Sequence, residues 1–367
     1  MMNKMIVANL VHRPIRSLIS IVAIALEVVL ILLIVGLSLG ILDDSKTRQA
    51  GIGADVIVLP PGSSAIIGVT GAPAPIKVAD VVAKLPHVKV VSPVVMQLST
   101  SKSLDLIYGV DLKTFDQLAG PFHFLQGGPF QGPQDALVDD IFAQANHVKA
   151  GQTIVILNHD FRVAGVVEHG KGARKYLPIQ TLQDLTGAQG KASAFYVKLD
   201  NPGDAAEVVD EIKAVPGMDS YSIRPMSEYL TMMAPSNIPL LSGFIKVVIG
   251  IAVIIGFIVI FEAMYAAVME RTREIGILKS IGASKFYIVD AILRETVLLA
   301  FLGTGLGIAV SLLAAMVIRE RSTLPVVVTL YWVLRTTVIA FAGALVGAFY
   351  PALKAARKDP IDALAYE

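Results

Sequence analysis

Cysteine is absent from all 367 residues, which excludes a disulfide framework, an iron-sulfur site and a cysteine nucleophile. Charge is scarce too: charged residues make up 17% of the chain against 54% hydrophobic ones, and the formal net charge is +1. With a mean hydropathy of +0.66, this is not the profile of a disordered, collagenous or ordinary soluble protein. The near-zero total charge gives no basis for a nucleic-acid footprint. Phosphate chemistry is also missing. A P-loop needs Gly-x-x-x-x-Gly-Lys-Ser/Thr, and the pairs Gly170-Lys171 and Gly190-Lys191 are followed by Gly172 and Ala192. HExxH does not occur, and the GxSxG string Gly36-Leu37-Ser38-Leu39-Gly40 lies inside an apolar run rather than at a strand-to-helix elbow, so no catalytic residue, cofactor site or metal site is expected, and the chain is not expected to be an enzyme.

What the chain does have is long apolar runs. Leu18 to Leu42, Phe244 to Val268, Ile288 to Ile318 and Pro325 to Tyr350 carry few charges, and each is long enough for the roughly 20 helical residues that cross a bilayer. Four transmembrane helices are expected, at 18–42, 241–269, 287–318 and 326–350. The first is too long for a signal-peptide core and is read as an anchor. Lys and Arg near the helix ends set the orientation. Lys4, Arg13, Arg16, Arg271, Arg273, Lys279, Lys285, Lys354, Arg357 and Lys358 fall on one side, and Lys46, Arg48, Arg319 and Arg321 on the other. The positive-inside bias then puts segment 1–17, loop 270–286 and tail 351–367 in the cytoplasm, with a short loop, 319–325, outside.

Residues 43–240 therefore form a large domain outside the cytoplasm. They hold 16 of the 31 basic and 20 of the 30 acidic residues, so the neutral total conceals an acidic domain and a basic membrane part. The expected fold class is an α+β membrane protein. Strands are read at Ala54 to Leu59, Val88 to Val91, Leu104 to Gly109, Thr153 to Leu157, Arg162 to Val167 and Ala194 to Leu199. Helices are read at Val78 to Leu85 and Gly203 to Val215, each handing over to a strand through a proline, Pro86 or Pro216. Two helix-strand units near the ends of the domain suggest a ferredoxin-like layer with a separate β-rich insert at about 100–190. Gly62 to Pro75 and Phe122 to Pro133 read as loops. His159-Asp160 and Glu168-His169 flank a predicted hairpin, either as a metal pair or as solvated turn residues. Asp139-Asp140 reads as the N-cap of a helix over Ile141 to Asn146.

Within the spans, Glu27 is the deep charge, open to a proton-relay role or to packing in a polar bundle interior. Glu262 sits near a helix end, and Arg335 lies beside Trp332, where it can snorkel. Gly36/Gly40, Gly303/Gly307 and Gly343/Gly347 have the spacing that lets helix backbones approach.

In loop 270–286, Ile277 and Ile281 are spaced i, i+4 and Ile275 and Leu278 i, i+3, the pattern of a short amphipathic helix. Gly282 suits its left-handed end. Such a helix either lies on lipid or docks in a groove of a cytoplasmic partner, with Arg271, Arg273, Glu274 and Lys279 setting register. The run Glu270-Arg271-Thr272-Arg273-Glu274-Ile275-Gly276-Ile277-Leu278-Lys279-Ser280-Ile281-Gly282-Ala283-Ser284, followed by Ile288, Glu295, Gly303, Gly305 and Gly307, resembles the FtsX-like permease segment of MacB-type (type VII) ABC transporters. Tyr350-Pro351-Ala352 and Ala355 to Leu364 resemble that family's tail. Gly53 to Val56, Tyr108 to Asp111, Ala136 to Val138, Val148 to Thr153 and Phe161 to Val166 resemble the MacB periplasmic core domain.

The resemblance implies a permease subunit whose loop, through Arg271, Arg273, Glu274, Ile275, Gly276, Ile277, Leu278, Lys279, Ile281, Gly282 and Ala283, is a coupling helix seated on an ABC ATPase. It implies mechanotransmission to the periplasmic domain, a homodimer or a heterodimer with a similar permease, and in some members a periplasmic adaptor. Members with a fused ATPase carry it ahead of the first membrane helix, where about 17 residues stand here. ATP and Mg are therefore expected in a partner subunit. Two alternatives stay open: an FtsX-like regulator signalling to a periplasmic hydrolase, and an ion-coupled carrier using Glu27.

Overall fold

The computed structural model describes residues 14–63, 72–99, 105–234 and 237–358. Lys4 and Arg13, most of the Gly62 to Pro75 loop, Leu104 and the tail motif from Asp359 onward lie outside them. The described residues divide into two compact units: those within 14–39, 240–318 and 326–358 in one, those within 40–239 and 319–325 in the other.

In chain order the elements are α1 (Pro14–Ala50), β1 (Val56–Leu59), β2 (Ala74–Pro75), α2 (Lys77–Val82), β3 (Val88–Ser99), β4 (Asp105–Val110), α3 (Leu112–Ala119), β5 (Phe124–Gly127), β6 (Asp135–Asp139) and α4 (Asp140–Asn146). There follow β7 (Thr153–Ile156), β8 (His159–Val167), β9 (Lys175–Pro178), α5 (Ile179–Thr186), β10 (Lys191–Ala192), β11 (Ala194–Leu199), α6 (Ala205–Ala214), β12 (Ser222–Pro225) and α7 (Met226–Met232). The chain ends with α8 (Pro239–Glu270), α9 (Thr272–Ser280), α10 (Lys285–Arg321) and α11 (Leu330–Arg357).

In the first unit, α1, α8, α10 and α11 are long and apolar enough to cross a membrane. Their shared core is built from Ile24, Val28 and Leu32 of α1, Ile260 and Met264 of α8, Leu299 and Ala300 of α10, and Ala340, Ala344 and Ala348 of α11. Small residues decide how closely the helices approach. A Cβ on Gly303 would lie 2.7 Å from the Cβ of Ile24, and one on Gly307 would lie 2.7 Å from the Cβ of Val28, so this pair seats α10 directly on α1. Gly347 faces the backbone of Phe257 on α8 in the same way, whereas Gly343 faces open space. Gly36 differs from expectation: its close neighbour is not a helix but the strap at Val327, whose amide donates to the Gly36 carbonyl at 3.0 Å. Gly40 is buried. Arg335 stacks its guanidinium 5.0 Å from the Trp332 ring.

Helices α1 and α11 outrun the apolar stretches that announce them, because hydrophobicity marks where lipid ends and not where backbone hydrogen bonding ends. Polar residues 43–50 prolong α1, and α11 continues past Tyr350 through Pro351.

The second unit is built on one ten-stranded sheet of order β12-β1-β11-β3-β4-β9-β6-β8-β5, with β7 paired to β8. In β12-β1-β11-β3 each strand runs antiparallel to its neighbour. Helix α2 joins β1 to β3 and α6 joins β11 to β12; they pack on this half through Ala79, Val82, Val208, Val209 and Ile212. The stretch expected as a separate β-rich insert continues the same sheet through the antiparallel β3–β4 ladder. Twelve-residue β3 makes this possible by pairing with β11 up to Val94 and with β4 from Val94 onward. Pro93 thus falls where only one neighbouring strand is bonded, and its missing N–H breaks no second ladder. The expected Phe122 to Pro133 loop contains a short edge strand, β5, paired to β8. Asp139 caps α4, accepting from the Phe142 amide at 2.7 Å.

The polar end of α1 belongs to this unit. Gln49, buried, donates to the Tyr108 hydroxyl at 2.9 Å and accepts from Tyr196 at 3.0 Å. Burial raises both phenols above the usual tyrosine range, although the hydrogen bond from Gln49 opposes it.

Candidate docking site

Helix α9 lies in the helical unit between α8 and α10, and its two ends are built differently. At the start, Arg271 occupies the N-cap position but offers no side-chain cap. Its guanidinium instead forms a fork onto Glu295 of α10, at 3.0 Å and 3.4 Å. Both side chains are nearly removed from solvent, where a two-pronged arginine-carboxylate pair is at its most directional. At the finish, the Gly282 amide donates to the Lys279 carbonyl at 3.1 Å and the Ala283 amide to the Leu278 carbonyl at 2.9 Å. With Gly282 at φ 102, this is the Schellman termination anticipated for that glycine.

Two faces result. Inward, Thr272 and Gly276 are buried, and Ile275 packs on a cluster of Val268, Ile288, Ala355 and Ala356. Lys279 reaches across to the end of α11, donating to the Ala356 carbonyl at 3.0 Å and to the Lys358 carbonyl. A cation there satisfies carbonyls left open by the helix end and complements its dipole. Leu278 lines a recess of about 110 Å³ with Met264, Val268, Ile288 and Ile292. Outward, Arg273, Glu274, Ile277, Ile281 and Gly282 are exposed, Ile281 at 76% and Ile277 at 46%. Phe286, just past the turn at the start of α10, is 80% exposed.

The residues expected to meet a partner are therefore split. Arg271, Ile275, Gly276 and Lys279 are engaged in fastening α9 to the bundle, with Leu278 and Ala283 half-buried. Arg273, Glu274, Ile277, Ile281 and Gly282 remain free to touch something else. The partner of Arg271, Glu295, stands in the sequence as a carboxylate early in an apolar run, 24 residues on; that placement and its part in the family resemblance were its signals, and neither pointed to Arg271.

Glu27 is buried in the bundle. Its Oε1 has no hydrogen-bond partner, and a Cβ on Gly256 of α8 would lie 2.0 Å from its Oε2. His159 and His169 fall at and just past opposite ends of the single strand β8, roughly 30 Å apart by strand rise, so they do not converge. His169 bonds Asp140 at 3.0 Å instead. Among the described residues, no group of three or more His, Cys, Asp or Glu side chains is arranged to hold a metal ion.

Four apolar spans, one α/β domain inserted after the first of them, and a short fastened helix with an exposed mixed face between the second and third define a membrane permease component. Residues 17–215 match the family model described as MacB-like periplasmic core domain, and residues 246–360 match that described as FtsX-like permease C-terminal. The chain belongs to the MacB-type family of FtsX-like ABC transporter permeases. Over 335 residues it is 31% identical to the macrolide export ATP-binding/permease protein MacB of Shewanella sp. (strain W3-18-1), a match covering 80% of this chain and 49% of that protein. Over 149 residues it is 35% identical to the protein of the same name from Syntrophobacter fumaroxidans, covering 41% and 21%. The chain thus spans about half, or less, of the length of these curated relatives. A crystal structure of the periplasmic region of MacB from Actinobacillus actinomycetemcomitans is similar at 20% identity and a TM-score of 0.38, covering 50% of this chain and 94% of that one.

Proposed function

We propose that this chain is the membrane subunit of an ABC transporter complex that receives motion from a separate ATPase through α9 and passes it to the α/β domain, for export or extraction of a hydrophobic or amphiphilic substrate. The observation that carries this reading is the partition of α9. Arg271, through Glu295, and Lys279, through the end of α11, tie the helix to the bundle, while Arg273, Glu274, Ile277 and Ile281 are left outward. A connector that relays force needs a fastened side and a presented side, and a helix merely resting on lipid needs no such fastening. ATP and Mg belong to the ATPase in this reading, and the chain itself carries out no chemistry.

The positive-inside bias supports cytoplasmic termini and a cytoplasmic α9, with residues 43–240 periplasmic. The antiparallel order β12-β1-β11-β3 with one helix in each half supports a ferredoxin-like layer. Relatives named for macrolide export support an apolar cargo. A homodimer, or a heterodimer with a similar permease, and a periplasmic adaptor complete the proposed assembly in the lipid bilayer.

The test is co-purification with an ABC ATPase and the stimulation of its activity. Glu274→Lys combined with Ile277→Asp is expected to abolish both while leaving the detergent-solubilised permease folded. An intact, stimulated complex overturns the docking assignment, as does transport that ignores ATP and depends on Glu27.

A further inference from the structure

Arg174, one residue before β9, is 6% exposed and reaches three separate stretches of chain. Its Nη1 donates to Asp139 Oδ2 at 3.0 Å; its Nη2 donates to Asp44 Oδ1 at 3.0 Å and to the Thr323 carbonyl at 3.3 Å. Asp139 is fully buried, and its own amide donates to the Arg174 carbonyl at 2.9 Å. The second oxygen of Asp44 accepts from Arg48 at 2.9 Å, and Arg48 donates to the Gly172 carbonyl at 2.9 Å. All of these groups lie within the α/β unit. They come from the end of α1, from the cap of α4 and from the 319–325 segment, in which α10 ends.

Burying a guanidinium carries a heavy desolvation penalty, and an apolar side chain of similar volume serves stability as well or better. What only the planar fork supplies is simultaneous reach to several acceptors in fixed geometry. We propose that Arg174 is a positioning residue, a three-way lock that makes the end of α1 and the 319–325 segment move as one body with the sheet. Its place in force relay rests on the function proposed above; the lock itself is read without any ATPase present.

Because the chain has no cysteine, spin labels can be placed in the full-length protein in lipid nanodiscs at the exposed positions Lys46, Gln144 and Glu320, one per segment. Narrow distance distributions are expected in the parent. Arg174→Met is expected to broaden the Gln144–Glu320 distribution about twofold, as expected when local order is lost without global unfolding. The Gln144–Lys46 distribution broadens less, since Arg48 and Gln49 still hold α1. Arg174→Lys, which keeps the charge and loses the fork, is expected to narrow the Gln144–Glu320 distribution part of the way back. Equal widths in parent and Arg174→Met overturn the lock, as does broadening that Arg174→Lys leaves untouched, the mark of a packing defect. Should Arg174→Met fail to fold, Asp44→Ala takes its place: a broadened Gln144–Lys46 distribution supports the lock, and an unchanged one overturns it. Loss of ATPase docking leaves every one of these widths alone, so the two proposals fail separately.

Discussion

In the α/β domain, large buried side chains carry polar tips that are hydrogen-bonded: Tyr108 and Tyr196 share Gln49, and the Tyr176 hydroxyl bonds the Ala173 carbonyl at 2.6 Å. In the helical unit aliphatic side chains of α1 and α8 meet alanine and glycine of α10 and α11 at the helix crossings, and Glu27 Oε1, Thr304 Oγ1 and Thr336 Oγ1 are buried without a hydrogen-bond partner. The domain has exceptions of its own in Asp116 and Glu211, each with one unpartnered oxygen. The contrast still has a physical origin. In water, collapse onto a core drives assembly and polar tips must be re-bonded on the way. Between helices in lipid there is no such drive, and close backbone approach supplies the attraction instead. The two units should therefore fail in different ways when altered.

The largest effect is expected where the helical unit departs from its own rule and uses a buried ion pair. Arg271→Ala removes the guanidinium fork from Glu295 in a nearly solvent-free site, and breaking a buried ion pair from one side typically costs about 3 to 5 kcal/mol. A strong drop in the thermal midpoint of the solubilised protein is expected. The swapped pair Arg271→Glu with Glu295→Arg should recover part of it. A single variant as stable as the parent would show that α9 is held by its apolar contacts and by Lys279 without help from this pair.

Next comes the glycine seam. Gly303→Leu or Gly307→Leu forces α10 off α1, a strain of about 1 to 3 kcal/mol by overpacking. Gly343→Leu, facing open space, should stay within about 0.5 kcal/mol of the parent. Midpoints of the three variants in one detergent give the comparison directly. Equal losses at Gly307 and Gly343 would mean that the seam continues onto a second copy of the chain.

The sequence shows this division unevenly. The four spans are legible because nothing else explains so many consecutive apolar residues, and the β7–β8 hairpin because its alternation is regular. Strands β6 and β9 are not, since DALVD and KYLP are short, nearly fully buried and bounded by charge or proline, so neither shows a period of two. The spacing of Gly303 and Gly307 is visible while the identity of their neighbour is not, and Gly36, with the same spacing signal, turns out to meet a strap. Helix α9 is legible as a helix with a glycine stop. Which of its charged residues turn inward is not, because Arg271 and Lys279 differ from Arg273 only in what lies opposite them in space.

The smallest effect concerns the domain's buried carboxylate. Asp139 is pushed up to about 6 from an ordinary 3.8 by burial, against the opposing influence of Arg174 and the Phe142 amide. A carboxyl with a raised folded-state value holds its proton in the native protein at pH where the unfolded chain has released it. Between about 4 and about 6 the native state therefore binds more protons, and this group's contribution makes stability fall as pH rises through that window and level off above it. Asp139→Asn is expected to remove that slope from the thermal midpoint while lowering the midpoint overall, because Arg174 loses an acceptor of full charge. A parent midpoint that climbs with pH across the same window would mean that the attraction of Arg174 outweighs burial, and Asp139 would then be a firm ionic anchor rather than the costly member of its pair.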